Sequence, residues 1–222
     1  MSRVVVKCGG AVAASAAPSI LGLVGDGHSV CVVHGAGPQI SGEMRRRGIE
    51  VEFVHGRRVT TTGALEVVRS SFEDVNRALC SALGSAAVGL FGDEIGLAAT
   101  PIAGLGLVGE PLPSSSPAVE DALRAGRVPV VAPLAAGPLN VNADEAAAAL
   151  AIGMGADRLV FVTDVAGLLH AGAVVEAIGA DDAERLLASG ELDGGILPKL
   201  GAAVTAARQG VAAAIGETAV LA

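Results

Sequence analysis

Residues 3–10 read Arg3-Val4-Val5-Val6-Lys7-Cys8-Gly9-Gly10. An unbroken valine run, without polar alternation, suits a strand buried on both faces of a sheet. A lysine at its end followed by two glycines suits a strand end that meets an anion, because glycine lets a phosphate approach backbone N–H groups closely. The same grammar continues downstream. Strands are expected at Arg3–Cys8, Ser29–His34, Glu50–Val54, Ala86–Phe91, Val128–Ala132 and Arg158–Thr163, with a last pair at Val211–Ile215 and Thr218–Leu221. Between them lie Ala/Leu-rich helices: Pro38–Arg47, Gly63–Leu83, Pro117–Ala125, Ala143–Met154, Ala180–Ala188 and Pro198–Gln209. Strands alternating with helices predict a mostly parallel sheet sandwiched between helical layers, a three-layer α/β fold.

The boundaries of that fold follow from composition. The 222 residues suit one compact unit of two closely joined lobes, 1–135 and 136–222. The net charge of −8, with no Trp, no Tyr and four Phe, argues against a nucleic-acid partner. Cys8, Cys31 and Cys80 are scattered, with no CxxC and no Cys/His cluster. That pattern predicts no disulfide framework and no protein-held metal, and suits a reduced cytoplasmic setting. The start lacks an apolar segment long enough for a signal peptide, and Ala146–Ala156 is too short to span a bilayer, so a soluble protein without a membrane partner is expected.

Lysine is the informative residue. Lys7 and Lys199 are the two lysines; the other positive charges are arginines. An ammonium is a compact charge that can follow a phosphoryl oxygen, whereas a guanidinium is a broad planar fork. Chance in an arginine-biased chain is the competing explanation. Lys199 follows Gly194-Gly195 and Pro198 at the start of a helix, where the backbone adds partial positive charge. Two anion sites from opposite ends of the chain could meet across a cleft.

Two further stretches carry chemistry. His34-Gly35-Ala36-Gly37-Pro38 is strand, glycine turn, helix: an anion-binding arrangement or a tight turn. Leu139-Asn140-Val141-Asn142-Ala143-Asp144 gathers two of three asparagines ahead of a helix. Asn142 suits an N-cap and Asp144 a favourable first-turn charge, roles compatible with a site. Gly104–Gly109 matches GxGxxG but opens no helix, so a dinucleotide reading fails; no P-loop or protein-kinase signature occurs.

Taken together the chain resembles the N-acetylglutamate kinase family. The matching stretches are VVVKCGG, VVHGAGPQIS, GRRVT, VGLFGDE, LVGEP, VPVVAPLA, LNVNADEAAAALA, LVFVTDVAGLL and GGILPKL, in the family's order and over nearly the whole chain. The resemblance implies the amino acid kinase fold, with an acyl-amino-acid lobe before residue 136 and an ATP lobe after it. It implies transfer of the ATP γ-phosphoryl group to a side-chain carboxylate, with nucleotide-bound Mg²⁺. It makes Lys7 and Lys199 the flanks of the transferring group and Asp144 the carboxylate that orients both. It assigns Gly9, Gly10, Ala36 and Gly37 to phosphate and substrate loops. Arg58 and Asn140 would hold the substrate's α-carboxylate and acyl-amino end. Asp164, Val165, Gly167, Leu168, Leu169, Glu191, Leu192, Asp193 and Gly195 fall in its nucleotide-binding segments.

The chain departs from that pattern in places. Ala36 stands where the family usually has the middle of three glycines. Residues 71–76, Ser-Phe-Glu-Asp-Val-Asn, are bulkier and more acidic than the family's segment near the substrate. The chain ends before the family's final helix and strand, and without an N-terminal helix the resemblance implies a homodimer lacking arginine feedback. Arg45-Arg46-Arg47 and Arg57-Arg58 are either a solvated surface or an attraction for an acidic carrier protein bearing glutamate or α-aminoadipate. A non-catalytic nucleotide- or amino-acid-binding regulator is the alternative of another class. His34 is expected to hold its loop, Asp93-Glu94 to form a solvated turn, and His28, His55 and His170 are assigned nothing.

Overall fold

In the computed structural model, which describes residues 2–163, 166–170 and 172–222, the opening valine run lies at the centre of an eight-stranded sheet. Its strands, β1 to β8 in chain order, are Arg3–Cys8, Ser29–His34, Ala87–Phe91, Val128–Ala132, Arg158–Val162, Ala177–Gly179, Ala212–Ile215 and Thr218–Leu221. Their spatial order is β6-β8-β7-β5-β1-β2-β4-β3. All neighbours are parallel except β7 and β8, a tight antiparallel pair at one side. The sheet is continuous across the chain's midpoint, because β1 pairs with β2 on one edge and with β5 on the other.

Among the described residues seven α-helices cover the two faces: α1 (Ala17–Gly25), α2 (Gly37–Arg46), α3 (Thr62–Leu83), α4 (Pro117–Arg124), α5 (Ala143–Gly153), α6 (Ala180–Ser189) and α7 (Ile196–Arg208). The two-residue period of β1 sorts its side chains between them. Val4, Val6 and Cys8 face a core built with α1, α2 and α3, while Val5 joins the core under α4 to α7. Lys7 shares the parity of Val5 and so meets α5. Side chains cap some of the starts: Ser116 caps α4 ahead of Pro117, and Asn142, as the sequence suggests, accepts the Asp144 and Glu145 N–H groups at α5. The alanines at 146–149 are all buried, and α5 packs against both α7 and the sheet, where small side chains permit close approach.

The structure corrects the sequence reading at several elements. Helix α1 was not anticipated, since Gly22 and Gly25 sit within an apolar run with no polar face. In place of a five-residue strand from Glu50, only Phe53–Val54 pairs, forming a hairpin with Arg57–Arg58. His55 and Gly56 both take positive φ there (49° and 75°), as a two-residue primed turn requires. A second sheet orders Ala99–Pro101, Val108–Pro111, Leu139–Val141 and Leu134–Ala135. Asp93 and Glu94 do lie in a turn, and Glu94 is exposed, but both pair with Arg69 and the Asp93 side chain is only 10% exposed. Among the described residues no helix is long and apolar enough to cross a membrane.

Candidate active site

The carboxyl ends of parallel strands are where open α/β sheets leave a crevice. Here β1 delivers Lys7, Gly9 and Gly10, and β2 delivers Gly35, Ala36 and Gly37, into one cleft of about 470 Å³. Helices α2, α5 and α7 all begin at this cleft, so three N-terminal helix ends add partial positive charge to it. Asp144, in the first turn of α5, places Oδ1 at 2.7 Å from Lys7 Nζ, with both side chains over 90% buried (5% and 8% exposed). A buried ion pair of this kind is held by geometry rather than by net gain, because desolvation offsets most of its attraction.

The opposite wall comes from the hairpin and the second sheet. Arg58 is buried and donates to Ser41 Oγ at 2.7 Å and Gly37 O at 3.3 Å, and its guanidinium lies 4.5 Å from the Phe53 ring centre. Burial first, and Arg45 second, lower its pKa from the usual value. Asn140 donates to Thr60 Oγ1 at 3.0 Å, and that hydroxyl donates to Arg58 O at 2.8 Å. One short relay therefore ties the two residues expected to hold the substrate's polar ends. Phe72, from the segment that departs from the family pattern, lines the same cleft with Phe53.

Lys199 and Gly195 line this cleft and also a neighbouring groove of about 400 Å³. Lys199 Nζ donates to Gly195 O at 3.0 Å. Gly167, Leu169, Glu191, Leu192 and Asp193 line the groove as well. Leu168 does not: its side chain is fully buried in the core and its N–H donates to Thr218 Oγ1 at 2.8 Å. Asp164 and Val165 lie outside the described residues. The structure thus brings Lys7, Gly9, Gly10, Ala36, Gly37, Arg58, Asn140, Asp144, Gly195 and Lys199 together. Sequence reasoning missed Phe53, which carries no motif of its own; Ser41 and Thr60 were legible only as the final residues of VVHGAGPQIS and GRRVT.

The arginines flagged as a carrier-docking patch are largely spoken for. Arg46 and Arg47 both bind Glu43 at 2.6 Å, and Arg57 binds Glu145 at 2.8 Å. Burial raises the Glu145 pKa, and Arg57 opposes that shift. This pair stands at the rim of a third cavity of about 580 Å³ between the hairpin, α5 and α7, which none of the expected site residues lines. Cys8, beside Lys7, has its thiol pushed up to about 12 by burial and is no nucleophile. Among the described residues no group of three or more His, Cys, Asp or Glu gathers to hold a metal.

A family model described as the amino acid kinase family matches residues 2–216. An acetylglutamate kinase of Rubrobacter xylanophilus is 44% identical, covering 97% of this chain and 88% of its own. That of Geobacillus kaustophilus is 40% identical, over 91% and 84%. Among solved structures, smu.665 from Streptococcus mutans UA159 superposes with a TM-score of 0.90 at 27% identity, covering 99% of this chain and 98% of that one. Carbamate kinase from Giardia lamblia, solved with AMP-PNP, shares the fold at a TM-score of 0.73 and 15% identity, covering 99% and 98%. The chain belongs to the amino acid kinase family and, within it, sits among the acetylglutamate kinases.

Proposed function

We propose that this chain is an acetylglutamate kinase, transferring the ATP γ-phosphoryl group to the side-chain carboxylate of N-acetylglutamate. The observation that carries the reading is the buried Lys7–Asp144 pair at 2.7 Å, set where two glycine loops, three helix starts and Lys199 converge. A carboxylate is already ionised at neutral pH, so the nucleophile needs no general base. One carboxylate oxygen attacks the γ-phosphorus, the bond from that phosphorus to the β,γ-bridging oxygen breaks, and ADP and an acyl phosphate leave. The barrier is the approach of two anions, and catalysis is positioning and charge neutralisation.

The residues divide that work. Lys7 and Lys199 flank the moving phosphoryl group, with Asp144 fixing Lys7. The Gly9-Gly10 and Ala36-Gly37 segments offer backbone N–H groups to phosphate and substrate. Arg58 takes the α-carboxylate and Asn140 the acetamido end. Gly167, Leu169, the 191–193 stretch and Gly195 form the nucleotide groove. In this reading residues 1–135 carry the acyl-amino-acid side and residues 136–222 the nucleotide side. The one acid beside Lys7 is committed to that lysine, so a divalent ion fits here as a passenger on the nucleotide phosphates. Bound Mg²⁺ would supply charge neutralisation on the β- and γ-oxygens. The reading places the product in arginine-type biosynthesis in the cytoplasm and the assembly as a homodimer, which sedimentation would test.

The direct test traps acyl phosphate as hydroxamate with ATP, Mg²⁺ and N-acetylglutamate. Hydroxamate that disappears in Lys199→Ala is expected. ATP binding with no hydroxamate from N-acetylglutamate, N-acetylaminoadipate, glutamate or aspartate would reject a free-substrate kinase and turn attention to carrier-linked acids.

A further inference from the structure

Behind the cleft, and reaching it only through Gly35 and Phe72, lies a buried polar chain: Val130 O, Asn76, His34 and Gly35 O. His34, at the end of β2, is fully buried, and Asn76, on α3, is 4% exposed. Asn76 Nδ2 sits 2.9 Å from Val130 O and 3.1 Å from His34 Nε2. A backbone carbonyl can only accept, so the atom facing Val130 O must be the amide NH₂. The same NH₂ faces His34 Nε2, which must therefore be the accepting, unprotonated nitrogen. The other amide atom agrees, since Asn76 Oδ1 accepts from Cys80 Sγ at 3.5 Å.

The ring is neutral: burial lowers the His34 pKa to about 4, and Phe72 packs edge-on at 5.8 Å. A neutral ring with Nε2 unprotonated carries its hydrogen on Nδ1. Nδ1 lies 3.4 Å from Gly35 O, which it can then address as a donor. In the other tautomer a lone pair would face that carbonyl and repel it. The Gly35 carbonyl also lies close to Gly10, where an added Cβ would come within 2.9 Å of it. Gly35 N–H is pinned to Cys8 O at 2.8 Å. In a trans peptide the C=O of one residue and the N–H of the next point in opposite directions. Whatever holds Gly35 O therefore sets the aim of the Ala36 N–H.

We propose that Asn76 selects the Nδ1–H tautomer of His34, and that the ring so selected holds the Gly35 carbonyl and aims the Gly35–Gly37 loop at the transferring phosphoryl group. Both are positioning residues, and their kinetic role rests on the kinase reading above. The experiment is long-range ¹H–¹⁵N correlation on the four histidine rings of the full chain, with amide spectra and kinetics of Asn76→Ala, His34→Asn and His34→Gln. The unmodified protein should show His34 neutral with its proton on Nδ1 from pH 5 to pH 8. Asn76→Ala should mix the tautomers, shift the Ala36 and Gly37 amides and lower kcat by about 10²-fold, with KM moving less. His34→Asn keeps an NH₂ where Nδ1 was, and should retain more kcat than His34→Gln, which reaches only the Nε2 position; a packing role alone predicts the reverse order. A proton on Nε2 in the unmodified protein would overturn the assignment. So would a folded Asn76→Ala with unmoved loop amides and kcat within about twofold, or a His34→Gln as active as His34→Asn. Absence of kinase activity in the unmodified protein would sink the function instead, and the ring and amide spectra, which need no substrate, would still decide the tautomer and the loop.

Discussion

Asp144→Asn should destabilise the protein far more than its size suggests. The substitution keeps the side-chain shape and removes one charge. At 2.7 Å the intact pair attracts by about 6 kcal/mol at an effective dielectric of 20. Desolvation of two ions cancels most of that, so the pair is near neutral while both partners remain. Removing the carboxylate strands the Lys7 ammonium, 5% exposed, at a cost of about 3–5 kcal/mol. A chain of this size loses about 2–4 °C of Tm per kcal/mol, which gives a fall of roughly 6–20 °C by calorimetry at pH 7. The double variant Lys7→Met/Asp144→Leu leaves no charge stranded and should recover most of the loss. Both variants should be dead in the hydroxamate assay, separating stability from catalysis. A single variant melting within about 2 °C of the parent, or a double variant melting below the single, would refute the stranded-charge argument.

Other outcomes follow from geometry already described. Arg58→Lys replaces a fork that reaches Ser41 and Gly37 with a point charge, and should raise KM for N-acetylglutamate about tenfold or more while kcat changes less; an unchanged KM would remove Arg58 from the substrate's carboxylate. Gly10→Ala puts a Cβ at 2.7 Å from Ala36 Cα and 2.6 Å from Gln39 Oε1. The glutamine can swing away but the backbone cannot, so the two loops must part and kcat should fall about 10²-fold in a folded protein. His34 sits at about 4 when folded and near 6.5 when unfolded, so the unfolded chain binds more protons between those values. Its contribution is complete above pH 6.5 and is lost as pH falls toward 4, by roughly 3 kcal/mol; His34→Gln should flatten that limb of a denaturant-midpoint titration. Glu43 is drawn down to about 2 by its hydrogen bonds to Arg46 and Arg47. Its help is present above the ordinary carboxylate value and lost toward pH 2, so Glu43→Gln should differ from the parent at pH 7, least at high salt, and merge with it in acid.

The sequence disclosed what is continuous and bounded. Strands β1 and β2 are legible to the residue because apolar runs end abruptly in Lys7-Cys8-Gly9 and His34-Gly35. The cap at Asn142 is legible because its chemistry is local. The second sheet is not, because its strands are two to four residues long and owe their pairing to one another rather than to any run. Helix α1 hides for the converse reason, being apolar throughout with no period to read. In the site, Lys7, Asp144 and Lys199 stood out by scarcity and context. The ties behind them did not: Thr60 between Arg58 and Asn140, and Arg69 holding Asp93, join residues remote in sequence. Leu168 shows the limit of reading by segment, for its neighbour Leu169 lines the groove while it fills the core.

The central place of β1 has a consequence for synthesis. Strand β1 leaves the ribosome ahead of the other seven strands of its sheet; it is paired along one edge by β2, which follows soon after, and along the other by β5, where Val4 meets Arg158. Until β5 has emerged, one edge of a valine-rich strand has no native partner and can recruit a foreign one. A nascent chain stalled before residue 158 would therefore present its most aggregation-prone segment, and the lysine that the chemistry depends on would be displayed on an open ladder. Chaperone dependence should accordingly concentrate in the interval between the emergence of β2 and that of β5, and slowing translation there should cost more active protein than slowing it near the C-terminus.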